Sequence, residues 1–163
     1  MATMVGRQSD MVAALCAEIE LDFDAIEAYG AAIERLSEAT DRTRFQEFRE
    51  DHRRHVEELS AFVVKLGGTP PTKPDAKALL TKGKVVILAL IGTRGVLEAM
   101  RSNEGDTNVA YERLCARPEW SGEILLCLRR ALADERRHRE YIETRLGRLP
   151  ASRESRPSAP SHP

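Results

Sequence analysis

Two residue pairs stand out for their chemistry: His52 with His55, and Glu135 with His138, each three positions apart. On a helix that spacing puts both side chains on one face, where imidazole and carboxylate can bind the same ion. Asp22 and Glu104 each add a carboxylate, and each is followed seven residues later by a tyrosine, Tyr29 and Tyr111. The pattern repeats internally, with 30 residues from Asp22 to His52 and 31 from Glu104 to Glu135. Three carboxylates and three imidazoles make a donor set for one or two transition-metal ions, and iron, manganese and zinc all accept such ligands. The alternative use of the same six residues is a closed polar network, since buried acids and histidines must be paired, hydrated or metal-bound.

The elements that would carry these residues are four amphipathic helices. From Ser9 to about Ala39, Val12, Leu15, Ile19, Ile26, Ile33 and Leu36 recur at alternating steps of three and four, and Asp22 and Tyr29 fill the missing steps. After a break expected near Thr40 and Asp41, a second stripe of Phe45, Phe48, Leu59, Phe62 and Leu66 is completed by His52 and His55 and stops at Gly67 and Gly68. Residues 67–82, with three prolines and two glycines, read as a long connection. At about 3.3 Å per residue it can run the length of a thirty-residue helix. A third helix is expected from about Lys84 to Ala116, with Leu97, Met100, Glu104, Thr107, Tyr111 and Leu114 on its seam, and a fourth from about Glu119 to Leu149, with Ala131, Glu135, His138 and Ile142. Short, long and short connections predict an all-α four-helix bundle of two antiparallel hairpins joined by a crossover. Residues 1–149 form this single domain, and the polar tail 150–163 is expected to be disordered.

Helix by helix, this arrangement resembles the ferritin-like superfamily, whose signature is a carboxylate on helices one and three and Glu-x-x-His on helices two and four. The similarity spans roughly residues 10–146 and is nearest to small bacterial proteins of the bacterioferritin and rubrerythrin type. Glu104, Glu135 and His138 match that pattern outright, His55 matches the histidine of helix two, and Asp22 is a shorter variant of its glutamate. His52 stands where the pattern has a bridging glutamate, which removes one negative charge and leaves Glu135 as the bridging candidate. The resemblance implies one or two irons, with manganese or zinc as alternatives, and ferroxidase or peroxidase chemistry with dioxygen or peroxide. Tyr29 and Tyr111 are then expected to hydrogen-bond the ligand carboxylates. No pair of C-x-x-C motifs of the rubredoxin kind is present, so a reductant is expected to come from another protein.

Composition narrows the partners further. Twenty-five basic residues against 26 acidic ones give a formal charge of −1, so no global field gathers nucleic acid or an anionic membrane. Cys16, Cys115 and Cys127 are isolated, which suits a reducing compartment rather than a disulfide framework. Residues Met1 to Asp10 lack a signal-like apolar core, and the longest apolar run, Val85 to Ile91, is too short to span a bilayer, so a cytoplasmic protein is expected. Association with further copies of the chain stays open. The competing reading is a non-catalytic helical stress or interaction protein, with a structural zinc site or a metal-free polar core. Asp51, one position off the helix-two seam, points toward a flanking helix or solvent.

Overall fold

The computed structural model describes residues 3–73 and 92–149. They build α1 (Met11–Arg35), α2 (Ala39–Lys65), α3 (Gly92–Cys115) and α4 (Gly122–Arg148). Local chemistry sets several of the boundaries. Asp10 accepts a hydrogen bond from the Ala13 amide at 2.7 Å and Ser121 accepts one from Ile124, satisfying amides that the first turns of α1 and α4 leave open. Gly67 takes a left-handed φ of 79°, which lets its amide reach Val64 O while Gly68 bonds Val63 O, closing α2. Gly68 is then pressed against α1, where a Cβ would overlap Val12.

The first break falls earlier in the chain than its expected place near Thr40 and Asp41. Leu36 leaves the helix in an extended conformation, and Arg42 reaches back to Leu36 O at 3.0 Å and Ser37 O at 2.5 Å, so α1 ends at Arg35 and Asp41 lies inside the first turn of α2. The proposed segment of helix three from Lys84 to Ile91, much of the 67–82 connection and the 150–163 tail lie outside the described residues.

Each helix packs on two others: α1 on α2 and α3, and α4 on α3 and α2. Arg117 bonds Gln8 O while Ser37 faces Thr93, so α1 and α3 run antiparallel; Lys65 with Glu123 and Asp41 with Arg145 show the same for α2 and α4. The sulfur of Cys16 contacts Thr69 O, so α2 ends beside the start of α1, whereas α3 begins beside its end. The chain from α2 to α3 therefore passes from one end of the bundle to the other, as a hairpin–crossover–hairpin topology requires. No helix among the described residues is long and apolar enough to cross a membrane.

Two apolar cores occupy the ends. One gathers Leu15, Ile19, Leu59, Leu114, Leu128 and the tryptophan Trp120; the other gathers Phe45, Phe48, Leu97, Met100 and Ile142. Between them lies a layer in which every helix turns acids or histidines inward.

Asp41 fastens the second end. It is fully buried, accepts from Arg145 Nε and Nη2 at 2.6 and 2.7 Å, and accepts from Tyr141 Oη at 2.7 Å, tying α2 to α4. Burial works against its charge, but the hydrogen bonds from Arg145 and Tyr141 prevail and hold its carboxyl below the usual range. Asp41→Ala is expected to cost about 3 kcal/mol of stability, because Arg145 loses its buried partner. Chemical denaturation with metal content measured in parallel checks this; since Asp41 lies outside the polar layer, metal content should not change.

Candidate metal centre

The central layer is reached from four directions. α1 supplies Asp22, α2 supplies His52 and His55, α3 supplies Glu104, and α4 supplies Glu135 and His138; none is more than 1% exposed. All six candidate ligands come together in two overlapping groups. Asp22, His52, His55 and Glu135 each offer an atom within 4.8 Å of the others, and so do His52, Glu104, Glu135 and His138. Glu135 and His52 are common to both, so the layer has two halves with a shared middle.

The tyrosines join these halves crosswise. Tyr29 of α1 donates to Glu104 Oε1 of α3 at 2.6 Å, and Tyr111 of α3 donates to Asp22 Oδ2 of α1 at 2.8 Å. Burial, with the nearby carboxylates, pushes both phenols well above their ordinary range, so they remain donors. Asn108 Nδ2 also bridges Glu104 O and Glu135 O at 2.8 and 3.1 Å, pinning α3 to α4 at this level.

The outer histidines are aimed by aspartates from the opposite helix. His55 Nε2 donates to Asp134 Oδ2 at 3.3 Å, and His138 Nε2 donates to Asp51 Oδ2 at 3.1 Å. A carboxylate can only accept, so each outer nitrogen carries hydrogen and each inner Nδ1 faces the centre. Arg54 and Arg137 each bond both Asp51 and Asp134, closing a square of two acids and two bases over the α2/α4 face. Phe48 lies against the His138 ring, with centroids 4.2 Å apart.

His52 sits differently. Its Nδ1 is 2.8 Å from Asp22 Oδ1, while its Nε2 is 3.9 Å from Glu104 Oε1, so the ring lies between the halves with one nitrogen toward each. Asp22 accepts from both Tyr111 and His52, which makes Nδ1 the donor and leaves Nε2 facing Glu104.

The electrostatics favour protonated imidazoles beside ionised carboxylates. Burial disfavours charge on His55, yet the hydrogen bond to Asp134 and the Asp22 carboxylate 3.7 Å from Nδ1 raise its pKa to about 9. His138 is raised too, because Asp51 and Glu104 outweigh burial. Burial would lift Asp22 and Glu104, but their histidine neighbours hold both below the ordinary carboxylate range, Glu104 at about 2. Glu135 is pushed up to about 7, chiefly by burial against the attraction of His52.

Glu104 Oε2, both Glu135 oxygens, His52 Nε2, His55 Nδ1 and His138 Nδ1 are buried without any hydrogen-bond partner. Buried carboxylate oxygens and imidazole nitrogens without hydrogen bonds, converging from three helices, fit a divalent cation, whose charge and open coordination positions would satisfy them together.

Asp134, Arg54, Arg137 and Glu18 escaped the sequence reading, while Asp51, expected to point toward a flanking helix or solvent, meets the flanking helix at His138. Asp51 and Asp134 precede the paired positions in the repeat Asp51-His52-Arg53-Arg54-His55 and Asp134-Glu135-Arg136-Arg137-His138, and that match at four of five positions is the signal that reveals them. The Arg-rich face of helix four supplies Arg137 to the square. Glu18 is fully buried with both oxygens unpartnered. It lies on the series Leu15, Glu18, Asp22, Ala25, Tyr29, which steps by three and four as regularly as the route through Ile19.

No curated protein and no solved structure matches the chain. Its α1, α2 and α3, with the connection between the hairpins, fall within residues 10–116, whereas α4 with Glu135 and His138 lies beyond them. Those residues match the family described as a domain of unknown function, DUF2383, and the chain belongs to that family.

Proposed function

We propose that this protein is a ferritin-like metalloprotein that holds two transition-metal ions, iron in the first instance, between its hairpins and uses them to reduce dioxygen or peroxide. The observation that carries the reading is the set of unpartnered, fully buried donor atoms on Glu104, Glu135, His52, His55 and His138. A metal-free polar network would bring these atoms into hydrogen bonds with one another, whereas they make none: His55 Nδ1 stands 3.5 Å from Glu135 Oε1 and His138 Nδ1 3.7 Å from Glu104 Oε2.

The proposed ligands are Asp22, His52, His55, Glu104, Glu135 and His138. Two ferrous ions held together supply two electrons, the number needed to take dioxygen to peroxide or peroxide to water. The residues of the chain do the rest. Asp51 and Asp134 keep the imidazole Nδ1 atoms inward, and the tyrosine hydroxyls fix the carboxylates of Asp22 and Glu104. The two apolar cores keep bulk water from the layer, and an external reductant completes the cycle.

Elemental analysis of protein purified without chelators, followed by aerobic Fe²⁺ titration, tests the proposal. About two metals per chain with ferric absorption developing on oxygen exposure is the expected result. A spectroscopically silent, tightly held zinc with no oxygen consumption would leave a structural site in its place, and no uptake of iron or zinc would remove the metal reading altogether.

A further inference from the structure

Among the polar residues of the central layer, Glu18 is the one that the six-ligand set leaves without a task. It is fully buried, and both carboxylate oxygens lack a hydrogen-bond partner. Leaving a carboxyl in that condition is expensive, so a residue there calls for a role. Its surroundings identify which half of the layer it serves. Burial, with Asp22 and Glu135 beside it and against the attraction of His52, holds the Glu18 carboxyl well above its ordinary range, and its charge is felt by Tyr111, which bonds Asp22. The charges felt by Tyr29 on the other side include Glu104 and Glu135. As the residue one turn before Asp22 on α1, Glu18 is a same-face neighbour of a candidate ligand.

That half of the layer is short of a donor. His52 gives its Nδ1 hydrogen to Asp22, so the lone pair it can offer a cation is on Nε2, toward Glu104. The Glu104 half then has four donors: His52, Glu104, Glu135 and His138. The opposite half has Asp22, His55 and the shared Glu135. Charge shows the same shortfall. Asp22, Glu104 and Glu135 carry three negative charges against four from two divalent ions, and a net charge in this buried layer is costly. An ionised Glu18 closes both deficits.

We propose that Glu18 is the fourth ligand of the Asp22/His55 half, the carboxylate that takes over where His52 replaces an acid. The inference rests on the dinuclear reading above and adds a residue outside its ligand set. Binding brings the Glu18 side chain toward Asp22 by rotation about its own bonds, since its oxygens stand outside the two converging groups in the metal-free arrangement.

Zn²⁺ is the probe, because it needs no oxidant and reports occupancy alone. Competition titration with a chromophoric chelator measures stoichiometry and affinity for the full-length chain and its variants. Wild type is expected to take two ions. Glu18→Gln is expected to keep one and to bind the second at least tenfold more weakly. Adding His138→Ala to Glu18→Gln should remove the retained ion, whereas adding His55→Ala should leave it, because the survivor occupies the Glu104 half. Glu18→Leu serves as a second variant should the amide fail to fold. Leucine fills a similar volume without a polar group, so its metal-free form should melt above wild type and still bind one ion.

Two ions bound with wild-type affinity in either variant overturns the role of Glu18 while leaving the dinuclear site intact. A wild-type chain that takes up neither zinc nor, under anaerobic conditions, Fe²⁺ overturns both readings, so the two failures are distinguishable.

Discussion

Glu135→Ala is expected to empty both halves of the centre at once. Its carboxylate is the only acid common to the two converging groups, and both its oxygens are buried and unpartnered. Removing it leaves Asp22 and His55, with the proposed Glu18, on one side and His52, Glu104 and His138 on the other, each one donor short of four and each without the carboxylate that would join the two ions. The expected loss is from about two metals per chain to fewer than 0.2, with affinity reduced about a thousandfold, against the 10- to 100-fold typical of losing a residue that only orients a ligand. His55→Ala and His138→Ala are expected to be milder, each costing one ion, because each belongs to a single half. Metal analysis after gel filtration separates the three variants. The metal-free Glu135→Ala protein should remain folded, since the deletion also removes a carboxyl that burial pushes up to about 7. Equal metal content in Glu135→Ala and wild type would show that the two halves do not share this residue.

The second large effect is with pH: the metal-free protein should lose stability as the pH rises, while metal affinity increases and offsets that loss in the metal-bound form. His55 rises from an ordinary value near 6.5 to about 9 in the fold. A raised folded-state pKa contributes stability that is complete below pH 6.5 and lost as the pH climbs through 9. His52 and His138 are raised as well and add to the same slope. The metal-free protein should therefore lose on the order of 3 kcal/mol between pH 6.5 and 9 on account of His55 alone. Metal must displace those protons, so affinity should increase over the same interval, by about tenfold per pH unit for each proton released. Thermal melts with and without Zn²⁺ at pH 6, 7.5 and 9 would show the two melting curves separating as the pH rises. A metal-induced stabilisation that does not change with pH would mean that the inward histidines hold no protons to displace.

Much of this was legible in the sequence because the periodicity is strong where the packing is strong. Leu15, Leu59, Leu97, Met100, Ile142 and Leu146 are buried where their stripes predict, and the polar residues that interrupt those stripes meet at one level. The first hairpin turn was misplaced because nothing local at Leu36 marks a helix end; the arginine that caps it comes from the next helix. Glu18 was passed over because Ile19, its neighbour, satisfies an apolar stripe equally well, and both are buried where the helices close on each other. Asp51 and Asp134 lie off the seam, and their role depends on α2 and α4 running antiparallel at a register that no single helix encodes. Spacing gives the face a residue occupies, whereas partners across a bundle come only from the way helices are set against one another.

The square of Asp51, Asp134, Arg54 and Arg137 gives the buried centre an electronic connection to its surface. Each outer imidazole presents Nδ1 inward and hands Nε2 to an aspartate whose side chain is 13% or 16% exposed, and that aspartate is held in turn by arginines about half exposed. An aspartate relieved of its arginines draws harder on the Nε2 hydrogen, and the ring becomes a stronger electron donor at Nδ1. Stronger donation favours the more oxidised form of a bound metal and lowers its reduction potential. On the proposed reading, the redox poise of an ion held between the hairpins would then respond to whatever touches two arginines on the outside of the bundle.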